Sequence, residues 1–134
     1  MRYETFDHTA DILVKCYGDT IEECFGSAAF SLFDQMLDTS TIEKRTKFEF
    51  GTEAEDIEDR LYLFLSEILF LFDAESAVMS DFKVRFDGPK VICEAYGETF
   101  DAAKHRPRTE IKAITYHMMN VNEKEPSVTV LFDV

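Results

Sequence analysis

The segment from about Ile57 to Phe72 most constrains the fold, because it is apolar on nearly every side of a helix. Its main stripe, at helical spacing, consists of Ile57, Leu61, Phe64, Leu65, Ile68, Leu69 and Phe72. The apolar surface is widened by Tyr62, Leu63, Phe70 and Leu71. A helix of this kind is covered by protein on several sides. We therefore expect it to be sandwiched inside the domain, with a partner on one face as the alternative.

A shorter amphipathic helix and several alternating segments surround this helix. The Thr20–Glu23 segment has the pattern of a capping box, and Asp56 is placed to cap the helix that follows it. Alternation of polar and apolar residues predicts strands at 2–6, 12–17, 44–51, 82–86, 91–96, 110–121 and 127–132. The pattern indicates an α+β fold in which two helices pack on a largely antiparallel sheet. We expect one domain spanning residues 1–134.

The charge balance limits the classes of partner. The chain has 27 acidic and 14 basic residues and a formal net charge of -13. Tight binding of phosphates needs clustered Lys and Arg, so we expect contact with RNA to be indirect at most. A cation or a basic protein partner suits this charge better. The absence of a long apolar run and of a signal peptide, together with three unpatterned cysteines, predicts a cytoplasmic protein without membrane association.

Carboxylates occur near both ends of the sequence. Asp7-His8-Thr9-Ala10-Asp11 connects two alternating segments, and the sequence ends at Asp133-Val134. If the two ends meet, several oxygen ligands converge, which suits Ca²⁺ or Mg²⁺; the imidazole would favour Zn²⁺ or Mn²⁺. In the alternative interpretation, Asp7 and Asp11 make Asx turns, and His8 packs or donates to a carbonyl.

Two further segments carry ionisable residues. The basic stretch 104–108 includes Lys104 and His105, and it either contacts an anionic partner or offsets nearby acids. Residues 110–117 are predicted to form a central strand, whose regular alternation would place Lys112 and His117 on opposite faces. No set of nucleophile, base and orienting group stands out, so we assign no catalytic residue and do not expect an autonomous enzyme.

Taken together, four motifs resemble the archease family in their order along the chain. They are Asp7-His8-Thr9-Ala10-Asp11, Gly97-Glu98 with Lys104-His105, the segment from Glu110 to His117, and the closing Phe132-Asp133-Val134. The resemblance extends over the whole chain. It implies a strand–helix–strand–strand module with an inserted element, in agreement with the α+β fold expected from the residue pattern.

The resemblance also implies a function. Archeases are accessory proteins of RtcB-type RNA ligases in tRNA splicing; they promote guanylation of the ligase and so allow multiple turnover. Family members bind a divalent metal, commonly calcium, and the implied ligands here are Asp11, Asp133 and Val134. Asp7, His8, Lys104, His105 and Lys112 are then candidates for supporting the site or contacting the partner.

Two alternative functions remain open on the sequence. One is a stand-alone metal-dependent phosphoesterase or hydrolase that uses Asp7, His8, Asp11 and Asp133. The other is a chaperone-like scaffold for tRNA-modifying enzymes, in which the apolar side chains of the second helix bind clients.

Overall fold

The computed structural model of the protein describes residues 2–6 and 10–134. A short 3₁₀ turn at Thr39–Thr41 follows the first helix. The helices and strands, in chain order, are β1 (Tyr3–Phe6), β2 (Asp11–Tyr17), α1 (Ile21–Met36), β3 (Thr46–Glu53), α2 (Ile57–Glu75), β4 (Ala77–Asp87), β5 (Lys90–Thr99), α3 (Ala102–His105), β6 (Ala113–Asn122) and β7 (Ser127–Asp133).

The strands form two antiparallel sheets with the long helices between them. The first sheet has the order β1-β2-β7-β6 and the second has the order β3-β5-β4. Helix α1 contacts β2 and β7 of the first sheet and β4 of the second, whereas α2 contacts β6 and β3. The predicted α+β class with antiparallel pairing is confirmed, and the strands divide between two sheets.

The helices begin where their capping residues predict. The amide of Glu23 donates to the Thr20 hydroxyl at 3.1 Å, and the Glu23 carboxylate accepts from the amide of Asp19 at 3.0 Å. The carboxylate of Asp56 accepts from the amide of Asp59 at the start of α2. The bonds accepted by Thr20 and Asp56 satisfy amides that the first helical turn leaves open, whereas the Glu23 carboxylate bonds the amide of the residue before the cap.

Helix α2 is only partly covered. Its apolar stripe, including Phe64 and Leu65, is buried in the core, and Tyr62 is half-buried, but Leu63 and Phe70 are exposed. Sandwiching between the sheets therefore accounts for most of the apolar surface and leaves these two side chains in solvent. Within residues 2–6 and 10–134, no helix is both long and apolar enough to span a membrane.

The prediction of a regular strand from Glu110 to Val121 is wrong. The strand begins at Ala113, and Ile111 and Ile114 are both buried in the core, which strict alternation forbids. Pairing with β7 also breaks between Thr115 and Asn120. The predicted placement of Lys112 and His117 on opposite faces of one regular strand therefore does not hold.

The aromatic contacts of Phe64 join α2 to α1 and to β3 in the core. Its ring lies 5.6 Å from that of Phe25 in α1 and 6.0 Å from that of Phe50 in β3. We expect Phe64→Ala to lower the free energy of unfolding by about 3–5 kcal/mol, because it leaves a cavity. Phe70→Ala, on the exposed side of the same helix, should change it by less than about 0.5 kcal/mol. Urea titration of both variants measures this, and equal losses would contradict the assignment of Phe64 to the core.

Candidate metal centre

The two carboxylates singled out near the ends of the sequence meet in the first sheet. Asp11 begins β2 and Asp133 ends β7, and the two residues are directly opposite in the antiparallel register. Side chains at such positions project from the same face, with Cβ atoms about 4.5–5.5 Å apart. The structure thus brings together two of the three implied metal ligands.

The pair lies on the sheet face that is turned away from the helices. Val14 and Phe132 point into the hydrophobic core between the sheets. Because side chains alternate along a strand, Asp11 and Asp133 project from the opposite face. Both aspartates are half-buried. The core packing of the sheet therefore dictates which way the carboxylates point.

Strand β6 supports the same end of the sheet. Ala113 is opposite Asp133, and the amide of Lys112 donates to the Asp133 carbonyl at 2.7 Å. The main chain at Asp133 is therefore held from both sides, by β2 and by β6. Lys112 reaches the site through its main chain, and the residue itself is exposed.

The structure describes only one of the three other residues predicted near the chain ends for this site. Val134 follows Asp133 directly, and its side chain packs against the core. Asp7 and His8 lie outside the described residues. Within residues 2–6 and 10–134, no group of three or more His, Cys, Asp or Glu is assembled to hold a metal. A cation at Asp11 and Asp133 would thus take its other ligands from main-chain oxygens, from water, or from outside the described ranges.

The chemistry of the pair fits a hard cation. Two like charges directly opposite each other in a sheet are destabilising. A divalent cation between them would replace this repulsion by attraction. Carboxylate and main-chain oxygens are the ligands that Ca²⁺ and Mg²⁺ prefer.

A second cluster of ionisable residues centres on Glu98. The His105 side chain is fully buried, and its Nδ1 accepts from the amide of Asp101 at 2.9 Å. Since Nδ1 is an acceptor, the ring proton of the neutral imidazole is on Nε2, which donates to the Glu98 carboxylate at 2.7 Å. Phe100 stacks on the ring. His105 is thus a structural residue that fixes the end of β5.

Lys104 completes this cluster at the surface. Its ammonium lies 2.9 Å from Glu98 and 2.7 Å from Glu43. The amide of Glu43 also donates to the Glu98 carboxylate at 3.0 Å. This amide, followed by Lys104 and His105, lowers the pKa of Glu98 to about 2.

The rest of the basic stretch also faces acids. The guanidinium of Arg106 lies 3.9 Å from Asp38, and that of Arg108 lies 3.5 Å from Asp34. Of the two interpretations of residues 104–108, these contacts support the one in which the stretch offsets nearby acids.

Sequence reasoning placed Glu98 in a motif but did not identify it as the centre of a network. The sequence feature that could have identified Glu98 is Gly97-Glu98, an acid directly after a glycine within an apolar strand. A Cβ at Gly97 would lie 1.8 Å from the Val78 carbonyl, so β4 and β5 can approach only with glycine here. The same approach accompanies the register shift in β4 between Met79 and Asp81.

The three cysteines are poor nucleophiles. Burial raises the pKa of Cys16 and of Cys93 to about 12 and that of Cys24 to about 11. The thiolate is the reactive form of cysteine, and it is scarce at neutral pH for each of them.

The Glu98 network predicts a specific loss of stability in acid. The pKa of Glu98 is lower in the folded protein than its ordinary value of 4.5, so the unfolded chain binds more protons between pH 4.5 and about 2. The stabilisation is complete above pH 4.5 and is lost as pH falls through this window. We expect Glu98→Gln to be less stable than the wild type at pH 7, with a difference that shrinks towards pH 2.

Urea titrations at pH 7, 4 and 2.5 check this prediction. Glu49→Gln is the control, because Glu49 is an exposed carboxylate paired with Lys47 on the second sheet. A difference between Glu98→Gln and the wild type that stays constant with pH would contradict the role of Glu98.

Comparison with known proteins identifies the relatives of this chain. The sequence model of the archease protein family (MTH1598/TM1083) matches residues 3–134. An archease of Pyrococcus furiosus is 46% identical over 124 residues, which cover 90% of this chain and 87% of the relative. An archease of Sulfolobus acidocaldarius is 38% identical over 135 residues, which cover 99% and 97% of the two chains.

Solved structures show the same fold. Protein 1598 of Methanobacterium thermoautotrophicum superposes with a TM-score of 0.84 at 33% identity, over 98% of both chains. A Thermotoga maritima archease, described as a possible chaperone, gives a TM-score of 0.65 at 22% identity, over 100% of this chain and 98% of the other. This chain belongs to the archease family.

Proposed function

We propose that this protein is an accessory protein of an RtcB-type RNA ligase, which promotes guanylation of the ligase and its multiple turnover. The observation that carries the proposal is the pair Asp11 and Asp133, fixed opposite each other in a family member. The pair offers an acidic, preorganised site, while the buried cysteines provide no reactive thiolate at neutral pH. Such a protein is better suited to arranging charge at a partner's active site than to catalysis of its own.

In this proposal Asp11 and Asp133 bind a divalent cation, most suitably Ca²⁺, with Mg²⁺, Mn²⁺ or Zn²⁺ as alternatives. Val134 adds a main-chain oxygen, and the amide of Lys112 holds the Asp133 carbonyl in place. A bound cation would supply positive charge next to the phosphates of the nucleotide used by the ligase. The role of the protein's own residues is to hold these oxygens rigidly between β2 and β6.

The acidic character of the chain supports docking on a basic ligase surface. Opposite charges accelerate association, and this effect weakens as salt screens it. The RNA is then bound by the ligase, and this protein contacts it only indirectly. The same charge argues against a site for RNA on the accessory protein itself.

The wild-type protein gives the direct test. An RNA with 2′,3′-cyclic phosphate and 5′-hydroxyl ends is incubated with an RtcB-type ligase, GTP, a divalent metal and substoichiometric amounts of this protein. We expect the product to exceed one equivalent of ligase only when the protein is present. A ligase that is indifferent to the protein at every metal and nucleotide condition would sink the proposal.

The same assay without ligase separates this proposal from the hydrolase alternative. The protein is incubated alone with a phosphate monoester and with a 2′,3′-cyclic phosphate, in the presence of Ca²⁺, Mg²⁺, Mn²⁺ or Zn²⁺. Metal-dependent turnover that disappears in Asp11→Ala would favour the hydrolase function.

Variants of the carboxylate pair test the metal site. We expect Asp11→Ala and Asp133→Ala to lose activation of the ligase while they keep the fold. Without metal, each variant should remain folded, because the substituted side chain is on the sheet face opposite the core. With metal, only the wild type should gain stability.

Calcium titration calorimetry and thermal unfolding with and without Ca²⁺ provide readouts that do not involve the ligase. Asp87→Asn, at an exposed carboxylate that ends β4, is the matched control and should behave like the wild type. Full activation by both alanine variants at limiting concentration in metal-depleted buffer would refute the role of the metal.

A chaperone-like scaffold is the second candidate, and one observation favours it. Leu63 and Phe70 of α2 are exposed in the described chain. The description of the Thermotoga maritima archease as a possible chaperone points the same way. The exposed side chains do not, however, form a neutral patch, and their charged surroundings indicate a more specific partner.

A further inference from the structure

Strand β6 contains an irregular segment that the proposed metal site does not use. Pairing with β7 changes from Thr115 opposite Leu131 to Asn120 opposite Thr129, so residues 116–119 lie opposite Val130 alone. Within this segment Met118 has a φ of 60°, in the left-handed region. For a residue with a long side chain this conformation costs about 1 kcal/mol or more. Backbone strain of this kind is often found at functional sites, so we expect this segment to have a function.

The irregular segment packs on α2 in a fixed geometry. The ring of Tyr116 stacks on that of Tyr62, with centroids 4.2 Å apart and planes 13° from parallel. The Tyr116 hydroxyl donates to the Asp59 carboxylate at 2.7 Å. A stack with one hydrogen-bonded end is a preorganised platform, so little ordering is needed when a partner binds.

Most of the large exposed hydrophobic side chains of the described residues belong to α2 and β6, the two elements that form this platform. We define the α2–β6 surface as Tyr62, Leu63 and Phe70 of α2 with Tyr116 and Met118 of β6. Of the five large hydrophobic side chains exposed within the described residues, four belong to it, and Phe70 and Tyr116 are 58% and 50% exposed. Leu63 and Phe70 are two helical turns apart, so they share one face of α2.

Carboxylates lie at one end of the platform. Asp56 caps α2, and Glu58 and Asp59 lie in its first turn, before Tyr62 in the sequence. The hydrogen bond to Asp59 and burial, with the negative charges of Asp59 and Asp56, raise the pKa of Tyr116 to about 12. Burial and the neighbouring Asp56 raise the pKa of Glu58. These shifts indicate a negative potential at the apolar surface.

The basic side chain in this turn is already engaged. The guanidinium of Arg60 donates to the carbonyls of Ala54 and Glu55 and lies over the Phe86 ring. It therefore points towards β3 and β4 rather than neutralising the platform. The α2–β6 surface thus combines an aromatic centre with an acidic border.

This combination selects one class of occupant. Phosphates of a nucleic acid would be repelled by the carboxylates, and a second copy of a chain with net charge -13 would bring two acidic borders together. An arginine or lysine side chain is attracted both by aromatic faces and by the carboxylates. We propose that the α2–β6 surface docks a protein surface that carries arginine or lysine.

The platform and the candidate metal centre share strand β6 but lie on opposite faces of the first sheet. Ala113 is opposite Asp133, whereas Tyr116, three residues later on the same strand, packs on α2. The charge and aromatic character of the platform, rather than its position beside the metal centre, therefore carry the proposal. That the partner is the ligase rests on the proposed function. That the partner carries arginine or lysine does not.

Binding of the purified ligase to variants at Met118 tests the proposal. Met118→Lys and Met118→Glu remove the same apolar side chain at the same φ but add opposite charges. We expect Met118→Lys to weaken binding by about tenfold or more, and Met118→Glu by about threefold or less. Calorimetry or interferometry at two salt concentrations gives the affinities, and circular dichroism with thermal unfolding checks the fold.

Glu49→Gln controls for overall charge. This substitution raises the net charge by one, as Met118→Lys does, but Glu49 lies in β3 of the second sheet. It should bind the ligase like the wild type. Equal weakening by both Met118 variants would indicate an apolar occupant that is indifferent to charge, and would overturn the proposal. The proposal would also be overturned if the wild type were a dimer that either Met118 variant dissociates. RNA binding by the wild type that is lost in both Met118 variants would overturn it too.

A second experiment tests the α2–β6 surface without the ligase, so its result does not depend on the proposed function. N-acetylarginine amide is titrated into ¹⁵N-labelled protein, with the neutral and nearly isosteric N-acetylcitrulline amide as the control. We expect arginine, but not citrulline, to shift the amide signals of Tyr62, Tyr116 and Met118 more than that of Glu49. If the ligase does not bind but this pattern appears, the partner is wrong and the surface stands. The absence of this pattern would overturn the surface itself.

Discussion

The burial of α1 between the two sheets is the constraint on which the rest of the structure depends. Its small residues allow close approach: a Cβ at Gly26 would lie 3.6 Å from the Phe82 carbonyl of β4, and Ser31 contacts Cys16 of β2. Each sheet must therefore present a matching apolar face to the helix. Slipping β2 against β7 by one residue would reverse the faces of one strand and turn core side chains such as Val14 outwards. The opposition of Asp11 and Asp133 is thus a consequence of core packing.

The magnitudes show why the sheet can hold two carboxylates together. Full burial of a side chain such as Val14 or Phe132 contributes about 1.5–3 kcal/mol. Favourable cross-strand pairs of side chains contribute about 0.2–1 kcal/mol each, which sets the scale for a repulsive pair as well. The register set by the core therefore prevails over the repulsion, and the carboxylates cannot relax by shifting the strand. The core packing thus holds the main chain that carries both carboxylates, which is what the proposed metal site would require.

The sequence was sufficient where the determining forces are local. Thr20 and Asp56 cap the helices as predicted, and the alternation of β2 and β7 places the correct residues in the core. It was not sufficient where partners are distant along the chain. Strand β2 pairs with β7, more than a hundred residues later in the sequence, and the irregular segment of β6 packs on α2, about fifty residues before it.

The role of Glu98 could not be predicted from the sequence either, because the amide that bonds its carboxylate belongs to Glu43, in another part of the chain. The pattern around Ile111 failed for a related reason. Both Ile111 and Ile114 reach the core because the chain enters β6 only at Ala113, after an irregular approach. Local alternation records which residues are apolar but not where a strand begins to pair. These positions needed the three-dimensional arrangement, whereas the candidate ligands could be chosen from chemistry and resemblance.

Strand β6 gives the two proposed sites a common element. At its start the amide of Lys112 holds the Asp133 carbonyl, and three residues after Ala113 the Tyr116 ring is fixed on α2. Ordering of either end restricts the same short length of chain. If a cation at Asp11 and Asp133 strengthens docking on the α2–β6 surface, docking must strengthen cation binding by the same factor. An accessory protein built in this way would hold its cation most tightly when its basic partner is in place.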